Sequence, residues 1–385
     1  MDNVTIFSTT PRIVMGPGAV NQLGQEAHGL KAGKVLFITD KGVVEAGLIK
    51  LAQEVLEKTG IKYAIFDGVE PDPRYEIIAD CVEMIHREKA DLIIGFGGGS
   101  SIDIAKAAAI MATNEGPIEE YFGIDLIPKP GLNTLMVPTT SGTGSEVTPI
   151  AILSDEKEKL KKGIISPYLF PSAAILDPEL TLGLPPNITA STGMDALIHA
   201  IEAFTSINAT DITDTLAFRA MGMIYENIRT AYANGNNLEA RSKMLEGSLL
   251  AGMAFANAGV TAVHAFAYPI GAEFHIPHGV ANTLMLPHVM RFNILGNLAK
   301  FAEISEAFGL SVEGLDDLRA SEAAVEAIER LALDLRVPKH LAEFGVKEKD
   351  ISVLAEGVMK VTRLLGNNPR IIGLDDAKQI YRAAL

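Results

Sequence analysis

A single cysteine, Cys81, in 385 residues leaves no partner for an internal disulfide. It falls in a helix-like segment far from any chemistry-bearing motif, where a buried packing role is expected, and a reducing cytoplasm fits this cysteine usage. Basic residues are also short. The 33 Lys+Arg against 48 Asp+Glu give a net charge of -15, which repels phosphate backbones and speaks against nucleic acid or an anionic membrane surface as a partner. The opening residues Met1-Asp2-Asn3-Val4-Thr5 show no basic segment followed by an apolar one, so no secretory signal is expected. The passage from Gly247 to Ala272 lacks any formally charged side chain. It is rich in Gly and Ala, carries Asn257 and His264, and is interrupted by Gly259-Val260-Thr261, so a pair of tightly packed core helices is expected there rather than a bilayer span.

What is present is enough apolar material for two cores. Hydrophobic residues make up 48% of the chain, and its length exceeds one ordinary core, so two domains are expected, 1–184 and 185–385. The first half alternates β-branched runs with amphipathic stretches, the pattern of an α/β domain whose parallel sheet is covered by helices. Val35 to Asp40, Leu92 to Phe96, Leu135 to Pro138 and Ala173 to Asp177 read as strands; Leu48 to Thr59 and Arg74 to Lys89 carry helical periodicity. Leu184-Pro185-Pro186 marks the boundary, with Asn187-Ile188-Thr189 offering cap chemistry for the next helix. Beyond it strand signals nearly vanish. Runs such as Thr213 to Ala233, Leu238 to Ala258, Ser321 to Leu333 and Ile351 to Leu365 indicate an all-helical second domain.

Four side chains carry the clearest chemistry. Asp195 and His199 are four apart and share one helical face, and His264 and His278 follow in a charge-poor stretch. One oxygen and three imidazole nitrogens make a complete site for a divalent transition metal, with nothing in the spacing to choose between Fe(II) and Zn. His28, His86 and His340 read as ordinary surface or core histidines. His275, three residues before His278, and His288 are secondary candidates for a catalytic, proton-relaying role rather than for metal binding. At the other end of the chain, Gly97-Gly98-Gly99-Ser100 follows a strand and precedes a helix, so free amides at the helix start can meet a pyrophosphate. It is not the G-x-G-x-x-G pattern, and a tight turn explains it equally well. Asp103 and Lys106, further along that helix, read as solvated charges or as ligands. Asp40 closes a strand, placed either to accept from ribose hydroxyls or to cap the helix ahead of Lys41-Gly42. Thr139, Thr140 and Thr143 lie in a hydroxyl- and glycine-rich loop. Lys161 either approaches a ribose or pyrophosphate or belongs to a surface run with Lys157, Lys159 and Lys162.

Taken together, Gly97 to Asp103, Pro138 to Glu146 and the two metal segments resemble the iron-dependent (group III) alcohol dehydrogenase family, relatives of lactaldehyde reductase and propanediol dehydrogenase. The resemblance covers essentially the whole chain, from Gly16-Pro17-Gly18-Ala19 to Asn368-Pro369-Arg370. It implies a dehydroquinate synthase-like fold, an α/β nucleotide-binding domain joined to a helical metal domain, with the active site in the cleft between them. It implies Asp195, His199, His264 and His278 as ligands of one metal, iron by the family's name, and NAD(H) held by Asp40, Gly97, Gly98, Gly99, Ser100, Thr139, Thr140, Thr143 and more loosely Lys161. Asp40 is then the group that selects NAD over NADP, and Phe255 a pocket wall or ordinary core. Asn368-Pro369-Arg370 is either a polar loop near the site or a helix-ending turn. Homo-oligomers follow too, a dimer by default.

The implied reaction interconverts a small primary alcohol and its aldehyde, the metal acting as Lewis acid while hydride moves to or from nicotinamide. Candidate pairs are lactaldehyde and propane-1,2-diol, 3-hydroxypropanal and propane-1,3-diol, ethanal and ethanol, or an anionic aldehyde such as sulfoacetaldehyde. The chain departs from the family where members commonly carry a second His four residues after the third ligand: it has Tyr268. A phenol of pKa about 10 is a poor acid near neutrality, so pocket shaping ranks ahead of packing and of proton transfer. A metal- and NAD-dependent lyase resembling dehydroquinate synthase is the alternative reaction class.

Overall fold

The computed structural model describes residues 4–156, 158 and 160–385; Lys157 and Lys159, part of the basic run, lie outside them. Two compact units result, one of residues 9–140 and 144–182, the other of 4–8, 141–143 and 183–385. The division falls at Leu182/Gly183, two residues before the expected boundary, and the short segment Ser141–Thr143 groups with the helical unit.

In the α/β unit the strands are β1 (Ile13–Met15), β2 (Lys34–Asp40), β3 (Lys62–Val69), β4 (Leu92–Gly97), β5 (Gly123–Ile124), β6 (Asn133–Pro138), β7 (Ile150–Asp155), β8 (Leu160–Ile165) and β9 (Ala173–Leu176). Six form a parallel sheet in the order β1-β9-β6-β4-β2-β3, and a second sheet runs β5-β8-β7. The helices are α1 (Leu23–Gly29), α2 (Lys41–Glu45), α3 (Leu48–Thr59), α4 (Ile77–Glu88) and α5 (Gly99–Met111). Successive residues of β2 enter opposite cores: Leu36 and Ile38 join Ile78 and Cys81 of α4, whereas Val35 and Phe37 join Ala52 and Leu56 of α3. A strand buried on both faces reads as a continuous apolar run, which is why β2 and β4 stand out in the sequence. Cys81 is fully buried, as expected. After β3 the chain returns to the other side of β2, so the strand order reverses between β2 and β4. Their carboxyl ends, Asp40 and Gly97, form the switch point at which open α/β sheets bind ligands.

The helical unit comprises α6 (Pro186–Thr205), α7 (Asp211–Ala233), α8 (Leu238–Ala258), α9 (Ala262–Phe274), α10 (His278–Asn293), α11 (Leu298–Ala307), α12 (Asp317–Asp334), α13 (Ile351–Met359), α14 (Thr362–Leu365) and α15 (Leu374–Ala384). Among the described residues it contains no strand. Its first helix begins at the prolines rather than after them: Pro185 is the N-cap of α6 and Pro186 its first residue, where a missing amide costs no hydrogen bond. Ile351 to Leu365 is likewise not one helix. Val361, at ψ 51°, leaves the helical region, and neighbouring β-branched Val361 and Thr362 are weak helix formers. The uncharged passage is the expected packed pair, α8 and α9, bent by 102°; no single helix is long and apolar enough to cross a membrane. Helix α6 is buried nearly all round because α7, α8 and α10 pack against it.

Candidate active site

The metal candidates converge within the helical unit. Asp195 and His199 lie one turn apart on α6, His264 is in the first turn of α9, and His278 is the first residue of α10. Asp195, His199 and His264 each offer a ligand atom within 4.8 Å of the others, all three buried. Asp195 Oδ1 is 3.8 Å from His264 Nε2 and 3.6 Å from His278 Nε2. Glycines allow this approach. A Cβ on Gly279, beside His278, would stand 2.2 Å from the Ser191 carbonyl oxygen, so only glycine lets α10 close on α6 there. A Cβ on Gly142 would stand 2.8 Å from Thr192 Cβ, and the Gly142 carbonyl lies 3.4 Å from His199 Nδ1.

Glu202 and Asn282 complete the centre, and the sequence analysis missed both. Glu202 Oε2 meets His264 Nδ1 in a short contact, while its Oε1 accepts from Thr261 N (3.0 Å), Thr261 Oγ1 (2.8 Å) and Val263 N (2.7 Å). A carboxylate against Nδ1 puts the ring proton there and leaves Nε2 a bare lone pair facing Asp195. Both residues carried a signal: Asp195, His199 and Glu202 are i, i+4 and i+7 on one helix face, and Asn282 is four after His278. His199 is stacked between Phe255 (4.4 Å between ring centres) and His264 (4.7 Å), so Phe255 orients a candidate ligand ring.

Burial raises the Asp195 carboxyl, but the three imidazoles and the Asn282 donor outweigh it and hold the group at about 2. Burial also lowers His199 to about 4, against the pull of Asp195. An ionised carboxylate beside a neutral His199 ring is a protonation pattern that borderline metals take. Lone pairs outnumber hydrogens at the focus. The Asn282 amide has two hydrogens for Asp195 Oδ1, His264 Nε2 and His278 Nε2, so the donor set fits a divalent cation.

Other candidates fall elsewhere. Tyr268 sits on α9 with its ring 6.2 Å from that of His278, at the edge of the centre. His275 is exposed and holds the left-handed C-cap of α9, at φ 54°. His288 faces Arg291 and Glu329, and burial lowers it to about 4. The Asn368-Pro369-Arg370 turn clasps the end of α10: Asn368 exchanges amide hydrogen bonds with Asn293, and Arg370 donates to the Phe292 carbonyl at 2.7 Å.

In the α/β unit, Gly97 ends β4 at φ 153°, and Gly98 caps α5 without a side chain of its own, which leaves the helix-start amides of Gly99 and Ser100 without a side-chain cap. Asp40 Oδ1 accepts from Val43 N (3.0 Å), the capping role, while Oδ2 lies 3.3 Å from Ser101 Oγ. A Cβ on Gly97 would come within 3.2 Å of Oδ2, so the carboxylate and the glycine turn adjoin. Thr139 donates its amide to the Gly97 carbonyl (2.9 Å), and Thr140 faces Gly98, whose Cβ would lie 3.6 Å from its Oγ1. Thr143 belongs to the helical unit. Lys161, on β8, pairs with Asp72. Lys106 is no solvated charge. Fully buried where α5 packs on β4, β6 and β7, it donates to the carbonyls of Ser145 (2.9 Å) and Ile150 and lies 3.3 Å from Asp103, tying the loop after β6 to α5.

Comparison with known proteins identifies the family. The profile described as iron-containing alcohol dehydrogenase matches residues 10–178, and that described as Fe-containing alcohol dehydrogenase family, C-terminal, matches 189–385. A sulfoacetaldehyde reductase of Bilophila wadsworthia is 41% identical over 98% of both chains, and a 1,3-propanediol dehydrogenase of Klebsiella pneumoniae 42% over 96% of both. A crystal structure of a 1,3-propanediol oxidoreductase superposes with a TM-score of 0.97 at 41% identity over the whole of both chains. The fold is that of a metal-dependent dehydrogenase. The chain belongs to the iron-containing alcohol dehydrogenase family, and the lyase alternative has no support among these relatives.

Proposed function

We propose that this chain is an NAD(H)-dependent, iron-loaded aldehyde reductase and alcohol dehydrogenase for short polar substrates, with Asp195, His199, His264 and His278 as the metal ligands. The observation that carries the reading is the convergence of these four side chains around Asp195, with Glu202 fixing the His264 tautomer. When bound, the cation supplies Lewis-acid polarisation of a carbonyl or hydroxyl oxygen. The chain's part is to present one carboxylate and three imidazole donors in a largely buried setting, where charge interactions are strong. Glu202 holds the His264 proton at Nδ1 and so keeps Nε2 available. Tyr268 shapes the substrate side of the centre. Asp40 takes the ribose hydroxyls of NAD and repels a 2′-phosphate, while the amides of Gly99 and Ser100 meet the pyrophosphate with Thr139, Thr140 and Thr143 as further contacts. Lys161 is a weaker candidate because it is engaged by Asp72.

The names of the two relatives, a propanediol dehydrogenase and a sulfoacetaldehyde reductase, support three-carbon diols and short anionic aldehydes as the substrate classes to try first. We take the chain to act in the cytoplasm as a homodimer. The test is NADH consumption by anaerobically purified, Fe(II)-loaded protein across 3-hydroxypropanal, lactaldehyde, ethanal and sulfoacetaldehyde. Turnover that ranks the first or last of these highest supports the reading; no turnover with any aldehyde, metal and NADH both bound, contradicts it.

A further inference from the structure

Asn282 is fully buried on α10, one turn after His278. Its Nδ2 lies 2.8 Å from Asp195 Oδ1, 3.1 Å from His264 Nε2 and 3.2 Å from His278 Nε2. The amide nitrogen thus stands at the common focus of three ligand atoms. Its own carbonyl oxygen gains nothing from the arrangement: Oδ1 is buried and has no hydrogen-bond partner among the described residues. Leaving a buried amide oxygen unpaired is costly, so packing alone does not account for an asparagine where a leucine of similar size would fill the space. What the amide supplies is positive hydrogens for three convergent acceptors, one of them an ionised carboxylate. Without them a carboxylate oxygen and two imidazole lone pairs, 3.6 to 3.8 Å apart, would face one another unscreened.

A lone pair that accepts an N–H cannot at the same moment bind a cation. We propose that Asn282 is a positioning residue of the metal centre whose amide hydrogens compete with the cation for Asp195, His264 and His278, holding these ligands converged whenever the cation leaves. The inference rests on the metal-centre reading above. It makes the amide a partner of the metal-depleted protein in particular, so its loss affects the two forms unequally.

The test compares wild type with Asn282→Leu and Asn282→Asp, each stripped with a chelator and each loaded with Zn(II), by thermal midpoint and by zinc affinity in chelator competition. Stripped Asn282→Leu should melt well below stripped wild type while the loaded forms differ little. Zinc should bind the variant about tenfold more tightly, equal to about 1.4 kcal/mol, because nothing competes for the ligands. Asn282→Asp has no hydrogens to give when ionised and should widen the split. Should the leucine variant not fold when stripped, Asn282→Ser, which keeps one hydrogen, should fall between it and wild type. An equal fall in both forms with unchanged affinity would show a packing role and overturn the proposal. A larger fall in the loaded form would also overturn it, since the amide would then support the bound cation. If zinc leaves even the wild-type midpoint unmoved, the metal centre itself fails, and this inference with it.

Discussion

Glu202 does more for the centre than its distance from Asp195 in sequence suggests. Four donors hold its carboxylate, and the carboxylate in turn fixes the His264 ring and tautomer. Glu202→Gln keeps the shape but weakens that hold, so metal affinity measured by chelator competition should fall about 10- to 100-fold. Asp40 serves two roles with two oxygens, capping α2 through Oδ1 and leaving Oδ2 beside the glycine turn. Asp40→Gly should raise the ratio of NADPH to NADH use in steady-state assays with little loss of stability, because glycine is itself a tolerated N-cap; an unchanged ratio would remove Asp40 from cofactor selection. The four candidate ligands were legible because an Asp–His pair at helical spacing, followed by two histidines in a charge-poor stretch, stands at the ligand positions that the family resemblance implies. Glu202 and Asn282 were not noticed because a glutamate and an asparagine are common, and their meaning comes only from the ring nitrogens they face. Lys106 was misread for a related reason: its burial is set by two sheets that enclose α5, which local sequence does not announce.

At the scale of the elements, the centre depends on how closely α10 approaches α6. Gly279→Ala would drive a methyl group against the Ser191 backbone, and backbone cannot move aside as a flexible side chain can. The variant should lose metal affinity and several degrees of thermal midpoint together, read by metal content and calorimetry; a variant with full metal content and a native midpoint would show that the contact is dispensable. Strands buried on both faces and helices with a clean apolar stripe, such as β2, β4 and α3, were legible for the same physical reason that they are stable. The half-exposed edge strand β3 and the β7–β8 hairpin were not, since neither forms the continuous apolar run of a strand buried on both faces. The start of α6 was misjudged because proline was read as a barrier when its place at a first turn is favourable.

For the whole molecule, the two-part layout followed from composition and pattern, whereas the grouping of Ser141–Thr143 with the helices did not, because the approaches of Gly142 to Thr192 and His199 join segments about 50 residues apart in sequence. A molecular property outside the metal centre is set by Glu146, fully buried near Lys106. Burial raises its carboxyl to about 7, only partly opposed by its own amide and by Lys106. Because the folded value stands above the ordinary 4.5, the unfolded chain releases this proton first, and stability falls as pH rises from about 4.5 to 7 and then levels off. Glu146→Gln should lack this decline, so wild type should lose about 3 kcal/mol relative to the variant across that window in denaturant titrations. Parallel curves for the two would contradict the assignment. The central claim, that the Asp195, His199, His264 and His278 cluster holds the cation on which NAD(H)-linked aldehyde reduction depends, is tested most directly by one titration. Chelator-stripped protein is supplied anaerobically with Fe(II) while NADH oxidation by 3-hydroxypropanal is followed. The account predicts no turnover at the start and a linear rise that ends near one iron per chain. Full turnover by the stripped protein, or iron uptake without any gain in turnover, would contradict it.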